Sequence, residues 1–304
     1  MEVLRIRGLK KSFQGNQVID GIDLSVDEGK IFGFIGQNGA GKTTTMKMIL
    51  GLLKMDQGEI LVCGEKVSFG ETKTNAHVGY LPDVPEFYGY MTPMEYLRLC
   101  GEITGMEKKV LERRGVELLQ LVGLGASKKK IRSFSRGMKQ RLGIAQALLH
   151  EPKLLICDEP TSALDPMGRK EILEILLSLR GRTTVLFSTH ILSDVERICD
   201  EVAVLHGGHI VLQGTLEELR KKHRKQGLVL EFSLAEELKM FQGMKELTPF
   251  TMEPEGKLRL VLLHEEMHLL QKAVYEALLS ASLIPVKMEL LEPTMENLFL
   301  EVVK

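Results

Sequence analysis

Lys30-Ile31-Phe32-Gly33-Phe34-Ile35 runs without a break into Gly36-Gln37-Asn38-Gly39-Ala40-Gly41-Lys42-Thr43, and Thr44-Thr45-Met46-Lys47-Met48-Ile49 follows. The first segment is a short apolar run that reads as a strand, and the last has helical character. Between them stands G-x-x-x-x-G-K-T. Strand, glycine loop and helix form the context in which that spacing has a mechanism. Glycines let backbone N–H groups turn toward phosphate oxygens with no Cβ in the way. The helix that follows aims its positive end at the same place. Lys42 adds a fixed cation for β- and γ-phosphates, and the Thr43 hydroxyl suits a Mg²⁺ ligand. Gly36, Gln37, Asn38, Gly39, Ala40, Gly41, Lys42, Thr43 and Thr44 are therefore the candidate phosphate-binding residues.

A second apolar run, Leu154-Leu155-Ile156-Cys157, ends in Asp158-Glu159. Alone, two acids at a strand end read as a solvent-facing pair. Beside a phosphate loop, Asp158 is placed to hold Mg²⁺ and Glu159 to polarise an attacking water as general base. Thr183–His190 reads as another buried strand, and strands alternating with helices predict a largely parallel α/β sheet. Residues 4–13 and 18–26 alternate across Gln14-Gly15-Asn16 and read as paired strands. Residues 84–150 look mostly helical, with Thr92 as N-cap, Pro93 at N1 and Glu95 at N3 of one helix.

After Gly214 the character changes. A charged helix or linker occupies 215–227, followed by expected strands at 227–233, 257–263 and 284–291. Expected helices lie at 235–244, 264–281 and 293–304, with Ser233-Leu234-Ala235-Glu236 as a capping box for the first. The pattern predicts a domain boundary near 218–227 and a small α+β tail.

The 304 residues leave room for about two domains. The 44% hydrophobic and 27% charged residues are close to globular averages and argue against disorder over most of the length. Lys+Arg is 40 and Asp+Glu is 41, so the formal charge of −1 carries no global footprint for nucleic acid. With no Trp and 5% aromatics, base-stacking platforms are not expected. Cys63, Cys100, Cys157 and Cys199 are widely spaced, without C-x-x-C, and read as idle thiols in a reducing compartment. The N-terminus lacks a secretory pattern, and no stretch approaches about 18 apolar residues. A membrane role would therefore need a separate membrane partner.

Phosphate loop and acidic strand together still cover many nucleotide enzymes. Ser135-Arg136-Gly137-Met138-Lys139-Gln140-Arg141 narrows the field, because a hydroxyl and a glycine there open a second helix able to meet phosphate. With these residues the chain resembles the ATP-binding-cassette (ABC) ATPase family, over residues 2–218. Of the family signature Leu-Ser-Gly-Gly-Gln it keeps the serine and the second glycine. Arg136 replaces the first glycine and Met138 the glutamine.

The resemblance implies a P-loop NTPase (RecA-like) α/β core with an antiparallel β subdomain and a helical signature subdomain, in residues 1–218. A C-terminal α+β accessory domain would occupy 219–304. It implies ATP and Mg²⁺ as ligands and a second ATPase subunit packed head to tail, so that Ser135, Arg136 and Gly137 of one copy complete the other's site. It places Phe13 against adenine, Asp165 in the coupling segment Ser162-Ala163-Leu164-Asp165, and His190 at the γ-phosphate. Asp83 stands where the family carries a glutamine. As a carboxylate it can ligate Mg²⁺ but cannot donate a hydrogen bond. Lys42, Glu159 and His190 form the implied catalytic set, with Thr43, Asp83 and Asp158 at the metal.

The Ser-x-Gly-Met-x-Gln-Arg form and the ending Glu292–Phe299 are similar to single-cassette ATPases of drug, antibiotic and sodium exporters. That subgroup implies a separate permease and a cytoplasmic location at the inner face of the membrane. Translation-factor relatives carry two cassettes, and chromosome and repair relatives insert a coiled coil, whereas only residues 44–134 intervene here. A non-hydrolysing regulatory module is the third alternative, opposed by Glu159 and His190. His264-Glu265-Glu266-Met267-His268 matches the zinc-protease spacing but has no third ligand in view. Arg220–Lys225 and Lys128–Lys130 read as solvated basic runs.

Overall fold

The computed structural model of the protein describes residues 1–125, 127–222, 227–291 and 295–303. His223–Gln226 of the expected linker and Glu292-Pro293-Thr294 of the expected ending lie outside the described residues. The chain divides into two compact units, Met1–Leu216 with the residues from Phe299 onward, and Glu217–Leu298.

The first unit begins with β1 (Glu2–Phe13) and β2 (Asn16–Asp27), an antiparallel pair. Gln14 (φ 48°) and Gly15 (φ 84°) make the two-residue turn, whose positive φ values match the twist of the flanking strands. Next come β3 (Ile31–Ile35), α1 (Lys42–Ile49), β4 (Gln57–Val62), β5 (Glu65–Lys66) and β6 (Val78–Leu81). The helical stretch holds α2 (Pro93–Ile103), α3 (Lys108–Leu121) and α4 (Arg136–Ala147). Then follow β7 (Leu154–Asp158), α5 (Pro166–Ser178), β8 (Thr184–Thr189), α6 (Leu192–Ile198), β9 (Glu201–His206) and β10 (His209–Thr215).

Among the described residues these strands form two sheets. One is antiparallel in the order β2-β1-β4-β5; the other runs β10-β9-β3-β8-β7-β6 and is parallel except for its β9–β10 pair. Strands β3, β7 and β8 are buried along their whole length, as a parallel sheet covered on both faces requires. The main core joins the two sheets. Leu4, Ile6, Ile22 and Ile60 of the antiparallel sheet cluster with Phe32, Phe34, Ile156 and Leu186 of the parallel one and with Met46 and Ile49 of α1. Full burial of a side chain such as Phe34 contributes about 1.5–3 kcal/mol relative to exposure. This packing fixes α1 and its preceding loop against the ends of β3 and β7.

The predicted cap of α2 is present. Thr92 Oγ1 accepts from Glu95 N, and Glu95 Oε2 accepts from Thr92 N at 2.6 Å and from Lys130 Nζ at 3.1 Å. Strand β6 is an element the sequence pattern did not signal. Gly79 and Tyr80 break its apolar run, and it forms by parallel pairing with β7.

The chain passes through α7 (Leu216–Lys222) into the second unit, which holds β11 (Gly227–Glu231), α8 (Ala235–Gln242), β12 (Thr251–Glu255), β13 (Arg259–Leu263), α9 (Met267–Ser280) and β14 (Lys287–Leu290). The last helix, α10 (Met295–Val302), follows. The antiparallel order β12-β13-β11-β14 with this β-α-β-β-α-β succession is the split βαβ arrangement. Its core gathers Leu228, Leu230, Leu260 and Leu262 with Phe241, Leu270 and Val274. Strand β12 was not predicted, because Pro254 interrupts it; proline is tolerated there since β12 is an edge strand.

Two local expectations shift. Helix α8 is capped at Leu234 instead of Ser233, with Glu237 Oε2 accepting from Leu234 N at 3.1 Å. Helix α9 starts only at Met267, so His264 lies before it and the two histidines share no helix face. His264 Nδ1 accepts from Glu266 N at 3.0 Å, and its ring meets Phe250 edge-on at 4.9 Å. That disposes of the zinc spacing on local grounds.

Burial pushes the Cys157 and Cys199 thiols well up, with Asp158 and Asp200 adding to the effect, and it raises Cys63 and Cys100 as well. Thiolate is the reactive form, so all four should react slowly with a disulfide reagent at neutral pH in the folded protein and quickly in denaturant. A thiol titration showing rapid reaction of Cys157 without denaturant would contradict this packing.

Candidate functional site

The glycine loop is shaped by its neighbours. A Cβ on Gly36 would lie 2.8 Å from Leu205 O, and one on Gly41 (φ 109°) would lie 2.5 Å from Ile19 Cδ1. Neither position accepts a side chain without displacement, so the loop stays close to the sheet and α1 begins directly after Gly41. Lys42 folds back over the loop, donating from Nζ to Gly36 O at 2.6 Å and Gln37 O at 3.2 Å. Its ammonium also lies 3.1 Å from Glu159 Oε1. The angle there is unsuitable for a hydrogen bond, and Glu159 Oε1 is left buried without a hydrogen-bond partner among the described residues.

Asp158 is 2% exposed. Thr43 Oγ1 donates to its Oδ2 and Ser188 Oγ to its Oδ1, each at 2.7 Å. The same Ser188 hydroxyl accepts from Glu159 N at 3.0 Å. Parallel pairing sets this up, because Asp158 of β7 registers with Ser188 of β8. Glu159 itself adopts φ 47°, a costly conformation for a residue with a side chain, and held here by contacts on both sides.

His190 follows β8 in a turn in which Thr189 Oγ1 accepts from Ile191 N at 2.9 Å. Its Nδ1 lies 2.9 Å from Glu159 Oε2. An ionised carboxylate only accepts, so Nδ1 carries the proton in this contact. The coupling segment is held from behind. Asp194 is buried and takes Arg169 Nε at 2.6 Å and Thr161 Oγ1 at 2.8 Å, while Arg169 also donates to Ser193 Oγ at 2.7 Å.

A cavity of about 310 Å³ brings together Asn38, Gly39, Gly41, Lys42, Thr43 and Thr44 of the loop with Asp83, Asp158, Glu159, Ser162 and His190. Gly36, Gln37, Asn38 and His190 also line a neighbouring cavity of about 250 Å³, with Ile35 and Phe299. Phe13 does not line either cavity. It ends β1 with 43% of its surface exposed and Lys11 Nζ 5.2 Å from its ring centre. Ser135, Arg136, Gly137 and Asp165 also lie outside both. Ser135 caps α4, its Oγ accepting from Met138 N at 3.2 Å, and Asp165 occupies the N-cap position of α5.

The sequence reading missed Ser188, Thr161, Arg169 and Asp194. Ser188 had a signal available, as a hydroxyl that follows the apolar run Val185–Phe187 two residues before His190. No helix of the described residues is long and apolar enough to cross a membrane.

Known proteins are similar to this chain in sequence and fold. The family described as "ABC transporter" matches residues 19–162. The uncharacterized ABC transporter ATP-binding protein YxlF of Bacillus subtilis (strain 168) is 42% identical over 249 residues, 82% of this chain and 81% of that protein. The bacitracin transport ATP-binding protein BcrA of Bacillus licheniformis is 39% identical over 247 residues, 80% of this chain and 79% of that protein. A solved structure titled as the ATP binding subunit of an ABC transporter superposes with a TM-score of 0.66 at 35% identity, over 72% of this chain and 92% of its own. A nucleotide-free ATP-binding cassette gives 0.66 at 26% identity, over 73% and 94%.

The bridging hydroxyl provides a direct test. Ser188→Ala leaves buried Asp158 Oδ1 without a donor, which should lower stability by about 1–3 kcal/mol in urea unfolding. ATP hydrolysis should fall further than ATP affinity, because Asp158 and Glu159 lose their common anchor. Parental turnover in a folded variant would remove Ser188 from the site.

Proposed function

Because the chain belongs to the ABC transporter family as one of its ATP-binding, ATP-hydrolysing subunits, we propose that its cavity takes Mg²⁺·ATP and that two copies, or this chain and a similar one, close on the nucleotide to drive a separate membrane permease in export. The observation that carries this reading is the convergence of Lys42, Thr43, Asp83, Asp158, Glu159 and His190 on one cavity. A transport role is supported by the relative named for bacitracin transport, and the export direction by the similarity of Ser135–Arg141 to the exporter subgroup.

The residues present suit Mg²⁺. Asp158, Asp83 and Thr43 are oxygen donors without soft ligands, and one or two carboxylates completed by phosphates are what this ion takes. Bound there, the ion would draw charge off the phosphates.

The protein's own groups divide the remaining work. Backbone N–H groups of the loop and the start of α1 receive the phosphates. Lys42, already holding two carbonyls, turns its ammonium from beside Glu159 toward the γ-phosphate. Glu159 is thereby freed of its cation, and its buried Oε1 accepts a proton from the attacking water. His190 keeps Glu159 oriented through Nδ1 and presents its other ring edge to the departing phosphate. Ser135 and Gly137, lying outside the cavity of their own chain, meet the γ-phosphate of a facing copy. Opening and closing of that pair would bias two states of the permease.

Glu159→Gln keeps the side-chain volume, removes the base and takes one negative charge from beside the phosphates. Hydrolysis should drop by about 10²–10⁴-fold while ATP binding persists. Size-exclusion chromatography should then show an ATP-dependent dimer, which Ser135→Arg abolishes by filling the phosphate-facing surface. Lys42→Ala should lose tight ATP binding outright. A Glu159→Gln protein that hydrolyses ATP at the parental rate and stays monomeric at saturating ATP would sink the proposal.

A further inference from the structure

We propose that Arg136 competes with the metal ion for the carboxylate of Asp83, so that the cation opening α4 sets how readily the site takes up Mg²⁺. Two departures from the family pattern, remote in sequence, meet in space. Arg136 Nη2 donates to Asp83 Oδ1 at 3.1 Å. Asp83 stands at a wall shared by two hollows. On one side is the cavity with Lys42, Thr43 and Asp158; on the other is a groove of about 440 Å³ that Arg132, Arg136 and Lys139 line.

The main chain of Asp83 is pinned and its side chain is not. Gln140 of α4, fully buried, donates from Nε2 to Asp83 O at 2.6 Å, which ties this loop to α4 whichever way the carboxylate turns. The side chains of Asp83 and Arg136 are 47% and 41% exposed, so their ion pair is weak enough to exchange instead of locking. Arg136 also needs an anion where it stands. It is the first residue of α4, whose opening turn has no acid, and a cation at a helix N-terminus opposes the helix dipole.

While Asp83 Oδ1 accepts from the Arg136 guanidinium, that oxygen is not available to a metal beside Thr43 and Asp158. Turning it to the metal therefore breaks the Arg136 pair. The same turn leaves the start of α4 with an uncompensated positive charge at the surface assigned to a second nucleotide's phosphates. Metal uptake in one site and readiness to meet a phosphate in the other thus become linked through one side chain.

The inference rests on the proposed Mg²⁺·ATP occupancy of the cavity, and its test reads metal dependence of binding, not turnover. Binding of a fluorescent ATP analogue to the full chain is followed while Mg²⁺ is titrated. Arg136→Gln should lower the Mg²⁺ concentration for half-maximal binding by roughly two- to fivefold, the span open to an exposed ion pair. Asp83→Asn should raise it, and Arg136→Gln should add nothing in that background. Lys139→Gln removes a groove cation that does not touch Asp83 and should leave the titration where it was. An unshifted curve for Arg136→Gln beside a parent that binds the analogue with Mg²⁺ overturns the competition alone. An equal shift from Lys139→Gln, or from Arg136→Gln in the Asp83→Asn protein, overturns it too. A parent that binds no nucleotide under any condition overturns the ATP-site reading and the competition with it.

Discussion

Asp158 is 2% exposed, and the hydroxyls of Thr43 and Ser188 hold its two carboxylate oxygens from opposite sides. A buried carboxylate is costly unless hydrogen-bonded, so the three elements carrying these groups must meet in one register. The phosphate loop arrives from β3, the acid from β7 and the serine from β8, neighbours in the parallel sheet. Moving any of these strands by one residue would turn its side chain to the other face and leave the charge unpaired. The same alignment delivers Glu159 and His190 to the rim of the cavity.

Around that centre the charges are paired provisionally. Lys42 faces Glu159, Glu159 faces His190, and Asp83 faces Arg136. In the proposed Mg²⁺·ATP state each of these partners would be exchanged for a phosphate or a cation. The Arg169–Asp194–Thr161 network behind them is of a different kind. Its Asp194 carboxylate and Thr161 are buried while Arg169 is partly exposed, and removing Arg169 would leave the buried Asp194 charge without its cation, which should be destabilising. A rigid back wall and an exchangeable front suit a site that must alternate between empty and occupied states.

Contiguous chemistry was legible in the sequence. The loop Gly36–Thr43 and the run Leu154–Glu159 carry their meaning within a few residues, because strand, turn and helix signals adjoin the functional side chains. The cap Thr92-Pro93-Glu95 was legible for the same reason. What escaped depends on register between distant segments. Ser188 matters because β7 and β8 pair, and the Asp83–Arg136 pair spans 53 residues. Strands β6 and β12 escaped because glycine and proline break their alternation and sheet pairing supplies the missing preference. The zinc-like spacing His264–His268 carried no site, as its missing third ligand implied, but the helix expected from 264 begins later, at Met267, because spacing alone does not say where a helix starts.

If Ser135 and Gly137, which lie outside the cavity of their own chain, serve that of a facing copy, one chain carries an incomplete ATPase site. Specific ATPase activity measured over a wide range of protein concentration tests this most directly. Activity per chain should rise with concentration and saturate once pairs dominate. Activity per chain that stays constant down to the lowest concentrations would contradict it, because a single copy would then hold every group that hydrolysis needs.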